Sequence, residues 1–156
     1  MEISTVAQTV IAGFLVFVIG QIFLKSVIEP IHELKKTLAD ISHTFVRYAH
    51  IIHNPDVTAQ ESREAVFERL RELSGRLYGD MALIPLYRVF GKIFSLPDKD
   101  KIYSAATNLI AIANWMYSKN DHKFDHTVKN IQTACDDLGL YIDPRDRISD
   151  EHLQLK

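Results

Sequence analysis

Lysine and arginine are missing from the first 24 residues, and from Ile3 to Leu24 there is no charged side chain of either sign. So long an uncharged run excludes an ordinary water-facing surface element. Cysteine is almost absent: Cys135 stands alone, which rules out an internal disulfide and fits a reducing compartment. Six glycines and five prolines in 156 residues are too few for a collagen-like or low-complexity chain. Positive charge is not in excess either. Eighteen Lys+Arg against 20 Asp+Glu leave a net charge of -2, which excludes a polybasic DNA-binding surface but leaves room for a small anion in a local pocket. The motifs G-x-S-x-G, G-x-x-x-x-G-K-[ST], H-E-x-x-H and C-x-x-C do not occur, so the chain reads as a non-enzyme with no cofactor.

What is there begins with the uncharged run itself. Between Thr5 and Leu24 a helix rises about 30 Å, the hydrocarbon thickness of a bilayer. Eleven Val, Ile, Leu or Phe residues lie from Val10 to Leu24. At roughly 0.3–0.6 kcal/mol each they favour insertion by several kcal/mol. A cleaved signal peptide fits less well, because the leading MEIS carries a glutamate and no base, and no A-x-A site follows. Lys25, Lys35 and Lys36 flank only the carboxyl end, so the positive-inside rule predicts a single-pass anchor in a bacterial inner membrane. Its amino end would lie outside and the rest of the chain in the cytoplasm. Gly13 and Gly20 would let two such spans approach closely, and Gln8 and Gln21 would seek amide partners there.

Beyond Lys25 the apolar residues Val27, Ile31, Leu34, Leu38, Ile41, Phe45, Tyr48 and Ile52 alternate in fours and threes, a seam of coiled-coil type. Followed backwards, the register reaches Gly20 and Gly13, so anchor and stalk could present one face. That face would pack either on identical stalks in a homo-oligomer or on the chain's own later helices. Pro30 interrupts the stalk near its start. His32, His43, His50 and His53 lie off the seam, but partners at fixed metal-ligand spacing are missing, so they read as a solvated, pH-sensitive face with no metal.

Asn54-Pro55-Asp56 ends the stalk, and T-x-x-E at Thr58–Glu61 has the form of a capping box opening a helix that stops at Gly79. Met81 to Leu96 forms a second segment with a broad apolar face, Leu83, Leu86, Tyr87, Phe90, Ile93 and Phe94, suited to a core and less so to a membrane surface. Residues 102 to 118 are uncharged but too polar and short to span, which predicts a central buried helix. A last helix from Asp121 to Leu138 buries Phe124, Val128, Ile131 and Cys135 and ends at Gly139, leaving a polar tail. No strand pattern occurs. The expectation is all-α: anchor 1–29, amphipathic stalk 30–54, compact helical domain 55–142 and tail 143–156.

For ligand chemistry, the candidates are Tyr87, Arg88, Asn108, Asn114 and Trp115, with Arg76 beside them: aromatic faces for a base and guanidinium groups for a phosphate. The stretches FVIGQIFLKSVIEPIHELKKTLADI, RYAHIIHNP, LIPLYRVFGKIFSLP and AATNLIAIAN resemble a group of small bacterial single-pass membrane proteins without an assigned activity. That resemblance implies only the layout of span, I-E-P-I stalk, N-P break and helices. The layout also resembles membrane effectors of antiphage and CRISPR-type defence. It implies an oligomer whose cytosolic domain binds a nucleotide second messenger and acts on the bilayer. The alternative expectation is a membrane-tethered scaffold with no small-molecule ligand.

Overall fold

The computed structural model of the chain describes residues 2–119 and 122–142. The expected tail 143–156 and the helix start at Asp121 lie outside the described residues. The fold is all-α, and no strand occurs among the described residues. Helix α1, Glu2–Phe23, passes through a π-turn at Leu24–Ile28 into α2, Glu29–Arg47. A short α3, Ala49–His53, and a 3₁₀ turn, Pro55–Val57, lead to α4, Gln60–Leu83. Then come α5, Tyr87–Ile93, α6, Lys99–Trp115, and α7, Lys123–Leu138.

One helix, described from Ser4, is long and apolar enough to cross a bilayer. From Ser4 to Ser26 every residue except Val18 is exposed, with Val10, Phe14, Val16 and Ile19 all above half their full area. So large an exposed apolar surface is unfavourable in water. The π-turn explains how the chain gets past Pro30. The amide of Glu29 donates to the carbonyl of Leu24 five residues back, and Pro30, which has no amide hydrogen, falls in the first turn of α2. The wider turn also breaks the seven-residue register, so the face of α2 does not continue along α1 through Gly20 and Gly13.

The stalk is a wall of the bundle. Val27, Ile31, Leu34, Thr37, Ile41 and Thr44 are buried, and α2 packs on α4. The stripe keeps a seven-residue repeat, with Val27, Leu34 and Ile41 in one row and Thr37 and Thr44 in the next, and its centre is turned toward the threonines. Leu38 and Phe45, expected in the seam, are moved to its flank and are half-buried, while two threonines take central positions. Thr37 donates to Asp80 Oδ2 at 2.6 Å, satisfying a hydroxyl that burial would otherwise penalise. A seam between copies along Val27, Ile31, Leu34 and Ile41 is thus replaced by packing within one chain.

Two helix limits differ from expectation. Helix α4 runs through Gly79 to Leu83 and stops because Pro85 forces Ile84 into an extended conformation. The capping box does not form: Thr58 donates its hydroxyl backwards to the carbonyl of Asn54 at 2.9 Å, and α4 starts after Ala59 without a side-chain cap. The expected stop at Gly139 is present, with φ at 66°.

Helix α6 is the central one, packed on both α4 and α7. Ala105, Ala106 and Ala113 are fully buried beside Ile102, Leu109 and Ile112, and the small side chains let neighbours come close. Ser74 on α4 donates to the carbonyl of Ala106 at 2.9 Å, pinning the two helices at mid-length. Tyr87 anchors α5 from beneath: it is buried, and its hydroxyl donates to the carbonyl of Pro97 at 2.7 Å. Burial, and then the nearby Asp98 carboxylate, push this hydroxyl up to about 12 from 10.0. The folded state favours the neutral phenol, so its contribution is complete below pH 10 and disappears as pH climbs through about 12. Relative to Tyr87→Phe, the chain should lose about 1 kcal/mol of stability between roughly pH 9 and pH 11, measurable by denaturant titration at each pH.

Candidate functional site

The last turns of α2, with α3, face α7 across an open groove. Tyr48, with φ at -106° and ψ at 14°, separates the two helices. On one wall Phe45, Val46 and Ala49 point inward, and on the other Phe124, Val128 and Ile131. The α7 residues continue to Cys135 at four-three-four spacing, one helical stripe. Tyr141 and Ile142 also line the groove, whose volume is about 700 Å³. Val46 and Tyr141 are 78% and 81% exposed.

Polar chemistry in the groove is sparse. The ring of His53 tilts against Phe124 with centroids 5.7 Å apart. Gln132 Oε1 is shielded from solvent and has no hydrogen-bond partner among the described residues. A buried acceptor of that kind favours an occupant that brings a donor. Cys135 is buried as a small side chain of the stripe. The arrangement can take an apolar surface of considerable length. His53 and Cys135 are both among its lining residues.

Alpha-helical geometry puts this groove far from α1. Phe45 is 17 residues beyond Ile28, about 25 Å along a straight helix. Sequence reasoning had assigned Phe124, Val128, Ile131 and Cys135 to the inward face of the last helix and Phe45 to the seam. The available signal was Val46, an apolar side chain at the end of α2 that lies off the seam.

The six residues expected at a ligand pocket are dispersed. Arg76 donates to Asp40 Oδ2 at 2.9 Å, and Arg69 reaches the same carboxylate at 3.4 Å, so both serve the α2–α4 interface. Tyr87 is tied down at the start of α6. Trp115 lies at the other end, 16 residues and about 24 Å beyond Lys99, stacked on His126 at 4.4 Å and 4°. Asn108 pairs within its own helix with Ser104 at 3.5 Å, and Asn114 and Arg88 are exposed. The cations that do gather lie elsewhere: Arg63, Lys119 and Lys123 surround Asp56 in a polar pocket of about 610 Å³, where Lys123 pairs with Asp56. Arg63 stacks over Tyr117 at 4.9 Å. The Tyr117 hydroxyl, donating to Glu64, is held above its ordinary range chiefly by that bond. Among the described residues no group of three or more His, Cys, Asp or Glu is placed to hold a metal ion.

No protein-family model, curated protein or solved structure matches this chain. The functional reading therefore rests on geometry and chemistry alone.

Proposed function

We propose that the chain is a membrane-tethered interaction protein. Helix α1 crosses the bacterial inner membrane with its amino end outside, and the cytoplasmic bundle presents the groove between α2–α3 and α7 to the apolar stripe of a helix on a partner protein. The observation that carries this reading is the groove itself. Phe124, Val128, Ile131 and Cys135 run along one wall for about three turns and Phe45, Val46 and Ala49 stand on the other, and such a cleft suits the i, i+3, i+4, i+7 anchors of an amphipathic helix. Val46 and Tyr141, left largely in water, are otherwise unfavourable. In this reading self-association is confined to α1, where Gly13 and Gly20 have nothing within 4 Å of a built Cβ and leave the backbone open to a second span. A nucleotide-gated effector of defence type is supported less well, because Arg76 is engaged with Asp40 and the aromatic candidates lie at opposite ends of α6.

The test uses full-length protein. Val46→Arg puts a charge into the groove at a position too exposed to disturb the core, and Val57→Arg, at a site 87% exposed outside the groove, is the control. Affinity recovery from membranes should yield a defined partner with wild type and Val57→Arg. With Val46→Arg its yield should fall by about tenfold or more, the cost of burying an unpaired cation. Equal recovery with all three proteins would refute the groove as the docking site.

A further inference from the structure

Four of the large apolar side chains that the bundle leaves in contact with solvent cluster at one end of it. Leu83, Leu86, Val89 and Ile93 are 66%, 72%, 52% and 64% exposed; Leu83 ends α4, Leu86 lies in the turn that follows, and Val89 and Ile93 are on α5. Residues 86, 89 and 93 share one helical stripe, with Phe90 beside it. Phe90 makes an edge-to-face contact with Phe23, the last residue of α1, at 6.1 Å. The stripe is thus continuous with the apolar surface of the span. Leu86 has φ at 45°, a left-handed conformation that a leucine seldom adopts, and it is also the most exposed of the four. In water its side chain would be unfavourably placed.

The stripe is also held rigidly. The ring of Tyr87 is trapped beneath α5, its hydroxyl is bonded to Pro97, and Gly91 leaves it room, since a Cβ there would come within 3.2 Å of the ring. Helix α5 cannot roll its apolar side inward without expelling that ring. Arg88 and Lys92 are exposed on the same short helix, and Lys25 follows the span directly. This is an apolar stripe flanked by cations, the composition that settles at a lipid headgroup layer.

We propose that α5 and the Leu83–Leu86 turn are embedded in the headgroup region of the leaflet at the carboxyl end of α1, with anionic phospholipid as the surface they contact. The bundle is then held against the bilayer at two points, the span and α5, so it stands at a set tilt with the distal groove directed away from the membrane. This inference rests on the reading of α1 as a span.

The experiment uses the full chain with Cys135→Ala, one new cysteine labelled with a polarity-sensitive fluorophore, and vesicles of phosphatidylcholine and phosphatidylglycerol carrying nitroxide lipids. Labels at Leu86→Cys and Ile93→Cys should be quenched at least about twofold more by a headgroup-level nitroxide than a label at Val57→Cys at the far end of the bundle. Val89→Cys serves as a second site should Leu86→Cys fold poorly. A label at Val16→Cys, quenched by a deep nitroxide, reports the span separately. Equal quenching at positions 57, 86, 89 and 93 with position 16 deep in lipid would overturn the α5 contact and leave the span standing. Labels on α5 shielded from aqueous iodide yet unquenched by lipid would show a second copy as the occupant, and would overturn it too. No quenching at position 16 would remove the span, and the α5 proposal with it.

Discussion

Replacing Leu34 and Ile41 together by alanine is expected to destabilise the bundle by about 4–10 kcal/mol, at 2–5 kcal/mol for each fully buried aliphatic side chain. Both are 0% exposed and face α4. They lie seven residues, roughly 10 Å, apart on α2, far enough for the two losses to add nearly independently. Domains of this size are stable by about 5–15 kcal/mol, so the double variant should be partly or wholly unfolded at physiological temperature. The same experiment distinguishes packing in one chain from packing between chains. In a cis bundle the denaturation midpoints of wild type and of Leu34→Ala alone do not vary with protein concentration, whereas a seam between copies would make them rise with it. Circular dichroism melts over a hundredfold range of protein-to-detergent dilution supply the measurement. A midpoint that climbed with concentration would refute the cis assignment.

Phe14→Arg combined with Val18→Arg is expected to remove the protein from the bilayer. The eleven aliphatic and aromatic residues from Val10 to Leu24 contribute about 3–7 kcal/mol of insertion free energy on the biological scale. Each arginine near the helix centre costs about 2.5–3.5 kcal/mol on the same scale, and the lost Phe and Val contributions add to this. Two of them therefore cancel the whole favourable balance. The variant should move from the carbonate-resistant membrane fraction to the soluble or degraded fraction, while Phe14→Leu with Val18→Leu should stay embedded. Retention of the double-arginine protein in carbonate-washed membranes would contradict a span centred on these residues. Helix α2 carries no comparable sensitivity, since its exposed face already bears Glu33, Lys35 and Lys36.

Several elements were legible because their signals are local. The uncharged run before Lys25, the break at Asn54-Pro55, the stop at Gly139 and the apolar middle of α6 are matters of composition and backbone preference within a few residues. The errors share one cause. At Gly79 the packing of Leu77 and Met81 in the core keeps α4 helical past a residue with poor helix preference. At Thr58 the hydroxyl had two backbone partners within reach, and the turn after α3 selected Asn54. Leu38 and Phe45 and their neighbours Thr37 and Thr44 form two adjacent rows with the same seven-residue repeat, and only the presence of α4 decides which row is central.

The ligand candidates were misplaced for a related reason. An arginine within a helix carries no mark of its partner, and Asp40, which engages both Arg69 and Arg76, lies 36 residues from the latter. The groove and the α5 stripe are equally non-local, since each depends on which apolar faces remain uncovered once all the others are packed.

From its sequence alone this protein was determined to be all-α, with an amino-terminal helix long and apolar enough to cross a bilayer, because charge and side-chain period act residue by residue. The tertiary structure alone decided that the stalk packs on its own chain, that the arginines close an interface, and that apolar surface remains open both beside α1 and far from it. Burial is a property of pairs of faces, and the pairing exists only once the helices are brought together.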